Sequence, residues 1–340
     1  MAETYIQMFQ EKIYPEVFLK IAEETIERFV EREEQILEEW KKGIKQYMEQ
    51  LVSIQKMTQD TSVSEINISF LYTSLYDEKP VFRIDSYCEG GRVMQESMLT
   101  AYLPADWLVA GMDKLEQMLT ERAARESMRR YVRAAEIETL KLRAVRSLVY
   151  YFALRFKYLI QDMIDFKCLA QIQKSDSFVI QIGEYMDWQK TIYAIFPEVD
   201  IFNCDKKTDL RFRNFPAIYY KNKRFEGLNL TQARFQDCTF MESTIENCVM
   251  NDCLFENCIF EHVKLTDTKL SGCLFQSCTF RQVDFENDSF YQGMEQSTEP
   301  EYFEPAEFFR CSFADSNFRE CSLSQCIITD CEGLTSEEEV

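Results

Sequence analysis

The sequence predicts two domains of different class: an α+β N-terminal part built of long helices and a β-hairpin, then a stack of short repeated units. Three observations carry this expectation. The chain has 340 residues, more than one compact core usually serves. Its first part mixes helical and strand periods. Its last third places a large apolar residue at every fifth position, a spacing that suits neither a helix nor a flat strand.

Composition sets the bounds. The chain is 46% hydrophobic and 14% aromatic, enough for a sizeable interior. The opening MAETYIQMFQEK lacks the apolar core of an export signal, and no stretch approaches 18 uninterrupted apolar residues, so no membrane span is expected. The cysteines number thirteen, an odd count, and ten of them fall between Cys238 and Cys331. Without an export signal they read as reduced thiols in a cytoplasmic protein. Residues 225–340 hold 23 acidic and 6 basic residues, a net charge of −17, against −3 for residues 1–224. That excess argues against direct nucleic-acid binding by the C-terminal part and is compatible with a basic or DNA-binding protein partner.

Residues 1–212 read as a mostly helical α+β domain. From 15 to 58, Ile26, Phe29, Ile36, Trp40, Ile44, Tyr47, Leu51 and Ile54 recur at helical steps, one long amphipathic helix packed on its own domain rather than in an intermolecular coiled coil. A hairpin is expected near 65–88, with Ile66, Ile68 and Phe70 on one arm, a turn at Tyr76–Pro80, and Val81–Tyr87 returning. Helix resumes after Pro104 and runs, with breaks, toward Lys174. It carries Arg122, Arg125, Arg129, Arg130, Arg133, Lys141, Arg143, Arg146, Arg155 and Lys157. Glu121, Glu126, Glu136 and Glu138 lie among them, so the plain reading is a solvated helix laced with local ion pairs, the alternative being a face for nucleic acid, an acidic partner or the acidic C-terminal part. Two short strands follow near 178–196, with a turn at Asp187–Lys190.

The repeat begins in earnest at Phe225. Steps of five give Leu230, Phe235, Phe240, Ile245, Met250, Phe255, Phe260, Leu265, Leu270, Phe275, Phe280, Phe285 and Phe290. Two places earlier stands a small residue, often Cys, as at Cys238, Cys258 and Cys278. A fixed period implies stacked units that bury their apolar residues only against neighbours. The register breaks after Phe290 and returns at Phe308, Phe313, Phe318, Leu323 and Ile328.

The motifs AxF at 233–235 and CxF at 238–240 and 278–280 resemble the pentapeptide-repeat family. The resemblance implies a right-handed quadrilateral β-helix over residues 213–335, with 291–307 as a lateral loop and 336–340 as an acidic tail. In a four-sided coil, residues twenty apart share a face. Phe235, Phe255 and Phe275 then form one column and Phe240, Phe260 and Phe280 another, their rings stacked at the inter-strand spacing of ~4.8 Å.

No catalytic constellation emerges. The cysteine spacings of five, ten and fifteen spread sulfurs along a line, whereas a metal site needs converging ligands, so no metal or cofactor is expected. His262 has no nucleophile beside it, and Gly90–Gly91 lacks a phosphate-loop pattern. The informative residues point outward. Glu226, Glu246 and Glu286 share an outward column interrupted by Thr266, with Asp267 alongside. Leu254, Ile259 and Leu274 are outward and apolar, a surface to be covered by the N-terminal helices, a second copy in a homodimer, or a partner. The expectation is a non-catalytic scaffold or protein–protein interaction protein. The resemblance supplies an alternative, since some members look like duplex DNA and modulate bacterial type II topoisomerases.

Overall fold

A computed structural model describes residues 2–58, 61–91, 96–205, 207–292 and 303–334. The chain divides into two compact units, Met1–Tyr193 and Ala194–Val340. The division comes earlier than the 212/213 boundary expected from sequence, because Ile201 and Leu210 already belong to the buried core of the repeat.

The N-terminal unit opens with helix α1 (Ala2–Met8), which passes through a π-helical turn, Phe9–Ile13, into α2 (Tyr14–Met57). The helical stripe is as expected: Phe29, Ile36, Trp40, Ile44, Tyr47 and Leu51 are buried. Strands β1 (Val63–Phe70) and β2 (Val81–Tyr87) form the hairpin, and β3 (Thr100–Pro104) follows. Helices α3 (Met112–Arg125) and α4 (Ala134–Phe156) lead to β4 (Lys174–Glu184) and β5 (Gln189–Ile195). The sheet order is β3-β2-β1-β4-β5. Its central pair, β1 with β4, is parallel.

Strand alternation puts Ile66, Ile68, Phe70, Phe82, Ile84, Ile180 and Ile182 on one face, in the same core as Trp40, Leu119 and Phe152 of the helices. Trp40 sets its ring edge-on to Phe82, with centroids 5.1 Å apart. The basic residues of α3 and α4 find most of their acids on other elements rather than along their own helix. Arg122 pairs with Glu16, Arg155 with Glu33, Lys141 with Glu116 and Arg146 with Asp187, at 2.9, 2.7, 2.6 and 3.2 Å. Locally, Lys141 also approaches Glu138 at 3.6 Å.

The C-terminal unit is a right-handed quadrilateral β-helix. Three of its faces are parallel ladders of three-residue strands, and the fourth is a line of single bridges from Asn229 through Val249 and Lys269 to Ser289. The register is the predicted twenty: Phe235 pairs with Phe255 and Phe255 with Phe275, while Phe240 pairs with Phe260 and Phe260 with Phe280. Phe215 and Tyr220 extend these two columns one coil below Phe235 and Phe240, ahead of the Phe225 from which the repeat was counted in sequence. After the insertion Phe308 rejoins the Phe275 column, so the ladder resumes where it stopped. Of the expected loop 291–307, residues 293–302 lie outside the described residues, as does the tail 336–340.

Each side of the coil turns at a residue with φ near +50–60°, such as Asp237, Asn247, Asn257 and His262. Asp and Asn tolerate this region better than most residues, which accounts for their frequency at the corner.

Candidate interaction surfaces

The inward side chains come first, because they fix which side chains point out. Rings in the first column stack at 5.0 Å (Phe235–Phe255) and 4.8 Å (Phe255–Phe275), within 6° of parallel. The second column matches it, at 4.7 Å for Phe240–Phe260 and 5.0 Å for Phe260–Phe280. Where the columns meet, Phe255 presents its edge to Phe260 at 64°. Offset stacking along the axis and edge-to-face contact around it are both favoured arrangements of aromatic quadrupoles.

The cysteines do more than fill space. Cys238 Sγ donates to the Phe215 carbonyl at 3.0 Å, Cys258 to Phe235 at 3.2 Å, and Cys278 to Phe255 at 3.3 Å. Cys311 and Cys331 repeat the contact with Phe275 and Phe308. Each thiol satisfies a second lone pair on a buried carbonyl of the coil below, which an alanine could not do. Ser243 makes the same bond to Tyr220 at 3.2 Å. Burial pushes the thiols of Cys273 and Cys278 up, so they are neutral donors. Among the described residues no three His, Cys, Asp or Glu side chains form a group that could hold a metal ion.

The acidic column is real as geometry. Glu226 pairs in register with Glu246, Glu246 with Thr266, and Thr266 with Glu286. It is not a bare anionic stripe. Arg224 reaches Glu226 at 3.3 Å and Glu246 at 2.8 Å, and Lys264 reaches Glu286 at 2.5 Å. The next rung up places Arg319 beside Glu286. Asp267 occupies a corner of the same face and accepts from Asn287 Nδ2 at 2.5 Å. These pairs are solvent-exposed, so they cancel the local field more than they stabilise the fold.

The three apolar candidates fall on two faces. Leu254 and Leu274 are adjacent rungs of the first Phe column, both half-buried. Ile259 stands around the corner in a column with Tyr219, Thr239 and Thr279. Sequence reasoning missed what joins the leucines. Phe309 stands outward on the next rung, opposite Gln276, and Ile327 follows on the rung after, half exposed. The doublets Phe308–Phe309 and Ile327–Ile328 were the available signal, since only one of each pair can point inward. The first face therefore carries an apolar patch over two outward columns: Leu254 and Leu274, then Glu307, then Ile327 in one, and Phe309 after Glu256 and Gln276 in the other.

Two further residues escaped the sequence pattern. Tyr219 exposes over half its surface, and its hydroxyl lies 2.9 Å from Met241 Sδ. Asp288 occupies an inward slot, in the column of Cys248 and Thr268, and is only 4% exposed. Its oxygens accept from the backbone N–H of Thr268 at 2.8 Å and of Glu286 at 3.1 Å. Desolvation still dominates and raises its pKa to about 7.

Comparison with known proteins places this unit. Residues 258–287 match the family model for pentapeptide repeats (8 copies). No curated protein matches the chain. Among solved structures the chain is similar to HetL, a pentapeptide repeat protein involved in heterocyst differentiation regulation from the cyanobacterium Nostoc sp. strain PCC 7120. That match has 16% identity over 34% of this chain and 45% of HetL, with a TM-score of 0.24. It is also similar to a trypsin-treated form of QnrB1, a plasmid-mediated fluoroquinolone resistance protein, at 13% identity over 37% of this chain and 75% of that one, with a TM-score of 0.16. The chain thus spans less than half of HetL, and the likeness is confined to about a third of its own length.

Proposed function

From a C-terminal unit built of pentapeptide repeats, we propose that the chain is a non-catalytic interaction protein that presents this rigid stack to a protein partner. The observation that carries the reading is the apolar patch on one flat face: Leu254 and Leu274 on adjacent rungs, Phe309 across from Glu307 on the next, and Ile327 on the rung after. A closed ladder of hydrogen bonds makes such a face stiff, and a stiff apolar patch with polar neighbours is what a protein interface core requires. The test is affinity capture from extract, comparing wild-type chain with a Leu254→Lys/Leu274→Lys variant. The reading expects a discrete partner retained in high salt and lost from the variant, both proteins melting alike. Identical captured sets would overturn it.

A second reading is a DNA-like body acting on a type II topoisomerase. The net charge of −17 over residues 225–340 favours it. The interleaving of Arg224, Lys264 and Arg319 among the acids of the mixed face counts against it. It is tested with a purified type II topoisomerase: the first reading expects supercoiling activity unchanged by excess protein at low salt, and inhibition abolished by salt would favour the second.

A further inference from the structure

The N-terminal sheet has a second face, opposite the core-facing Ile66, Ile68 and Phe70, with a run of polar residues at its centre. On β1 this face carries Glu65, Asn67 and Ser69; Asp85 stands beside Asn67 on β2, and Gln181 beside it on β4. Polar residues on the far side of a sheet normally meet water, yet Asn67, Ser69 and Asp85 are 2%, 2% and 1% exposed.

Asp85 is paired at both oxygens. Its Oδ1 accepts from Thr100 Oγ1 at 2.6 Å and from Arg83 Nη2 at 2.9 Å, and its Oδ2 is in an ion pair with Arg83 Nε at 2.7 Å. Two amides beside it are not so paired. Asn67 donates through Nδ2 to the Glu65 carboxylate, which fixes its orientation, because a flipped amide would set oxygen against oxygen. Its Oδ1 therefore turns away from Glu65 and has no hydrogen-bond partner. Gln189 crosses from β5 and donates through Nε2 to Ser69 Oγ at 2.9 Å and to the Glu184 carbonyl at 2.8 Å. Gly183 keeps the turn tight beneath it, since a Cβ there would lie 2.3 Å from the Trp188 carbonyl oxygen. Gln189 Oε1 is again buried without a partner. Two carbonyl oxygens, each oriented by its own N–H donors, stand ready for donors that the face itself does not supply.

The surroundings narrow the donor. Among the described residues of this face, Glu65 and Asp85 outnumber Arg83 by one charge. Tyrosines flank the arginine: Tyr185 holds its ring 4.7 Å from the Arg83 guanidinium carbon, and Tyr102, 57% exposed, is the cross-strand neighbour of Arg83. We propose that this face binds a guanidinium group, the side chain of an arginine carried by a peptide. A guanidinium brings a planar array of N–H donors, a positive charge and a flat surface that stacks on tyrosine. An ammonium lacks the plane, and a neutral polyol leaves the charge unmatched. Both acceptor oxygens are buried in the free chain, so binding requires the side chains that cover them to rotate aside. The site is independent of the repeat surface described above.

The test is calorimetric titration of the full chain with N-acetyl-arginine amide, N-acetyl-lysine amide and glucose. Saturable one-site binding of the arginine probe is expected, with the lysine probe at least ~10-fold weaker and glucose inert. Asn67→Leu should weaken the arginine probe at least ~10-fold by removing one oriented acceptor. Tyr102→Ala, at an exposed position that leaves the fold intact, should also weaken it. Absence of saturation below ~10 mM, equal binding of both amides, preference for glucose, or wild-type affinity in Tyr102→Ala would each overturn the proposal.

Discussion

At position 288 a carboxyl group sits where neighbouring coils place a thiol or a hydroxyl. Asp288 has its pKa raised to about 7 by burial, whereas an unfolded aspartate titrates near ~3.9. Between those values the folded chain holds a proton that the unfolded chain has released. This group's contribution therefore favours folding most at acid pH, declines as pH rises from ~4 to about 7, and is flat above that. Asp267 and Glu286 add to the raise, and the two backbone N–H donors oppose it. Asp288→Thr, the residue of the rung below, is expected to stabilise the repeat at pH 8 by on the order of 2–3 kcal/mol and to change little at pH 4. Thermal melts by circular dichroism at the two pH values check it. The five-residue register makes position 288 inward, but the sequence reading passed over it, and one of its two backbone donors, Thr268 N–H, comes from the coil below.

The repeat element is the part most legible in sequence, because each unit's inward positions obey a local rule. Both Phe columns and the return at Phe308 follow from counting by five and twenty. The role of cysteine did not follow, since the thiol-to-carbonyl bond joins residues 23 apart on different coils, as Cys258 to Phe235 does. Phe255→Asp is expected to unfold the repeat by placing a charge between two parallel rings. All three tryptophans lie in residues 1–193, so their fluorescence should stay native while the β-helix signal is lost. A soluble, β-rich variant would contradict the register. Native thiol labelling is expected only at the half-exposed Cys88, Cys204, Cys326 and Cys331, with Cys238, Cys258 and Cys278 protected until the chain unfolds. The N-terminal sheet was less legible. Its hairpin is local, whereas the parallel pairing of Ile66 with Ile180 spans over a hundred residues and left no periodic trace.

On the scale of the whole molecule, net charge proved a poor guide to surface. The acidic excess of the C-terminal part is distributed over corners, strand positions and the tail, and on the mixed face Arg224 and Lys264 already answer Glu246 and Glu286. The basic helices of the N-terminal unit likewise have partners at hand, in Glu16, Glu33 and Glu116. What distinguishes one face from another is the outward apolar patch around Leu254 and Leu274, which composition conceals because the inward columns dominate the hydrophobic count. The claim that this patch meets a protein partner is tested most directly by site-specific photo-crosslinking. A photoreactive amino acid replaces Leu274 in one chain and Thr231, on the fourth face, in another. The account predicts a discrete, salt-resistant protein adduct from position 274 and none from 231. Adducts from 231 alone, or equal adducts from both, would contradict it.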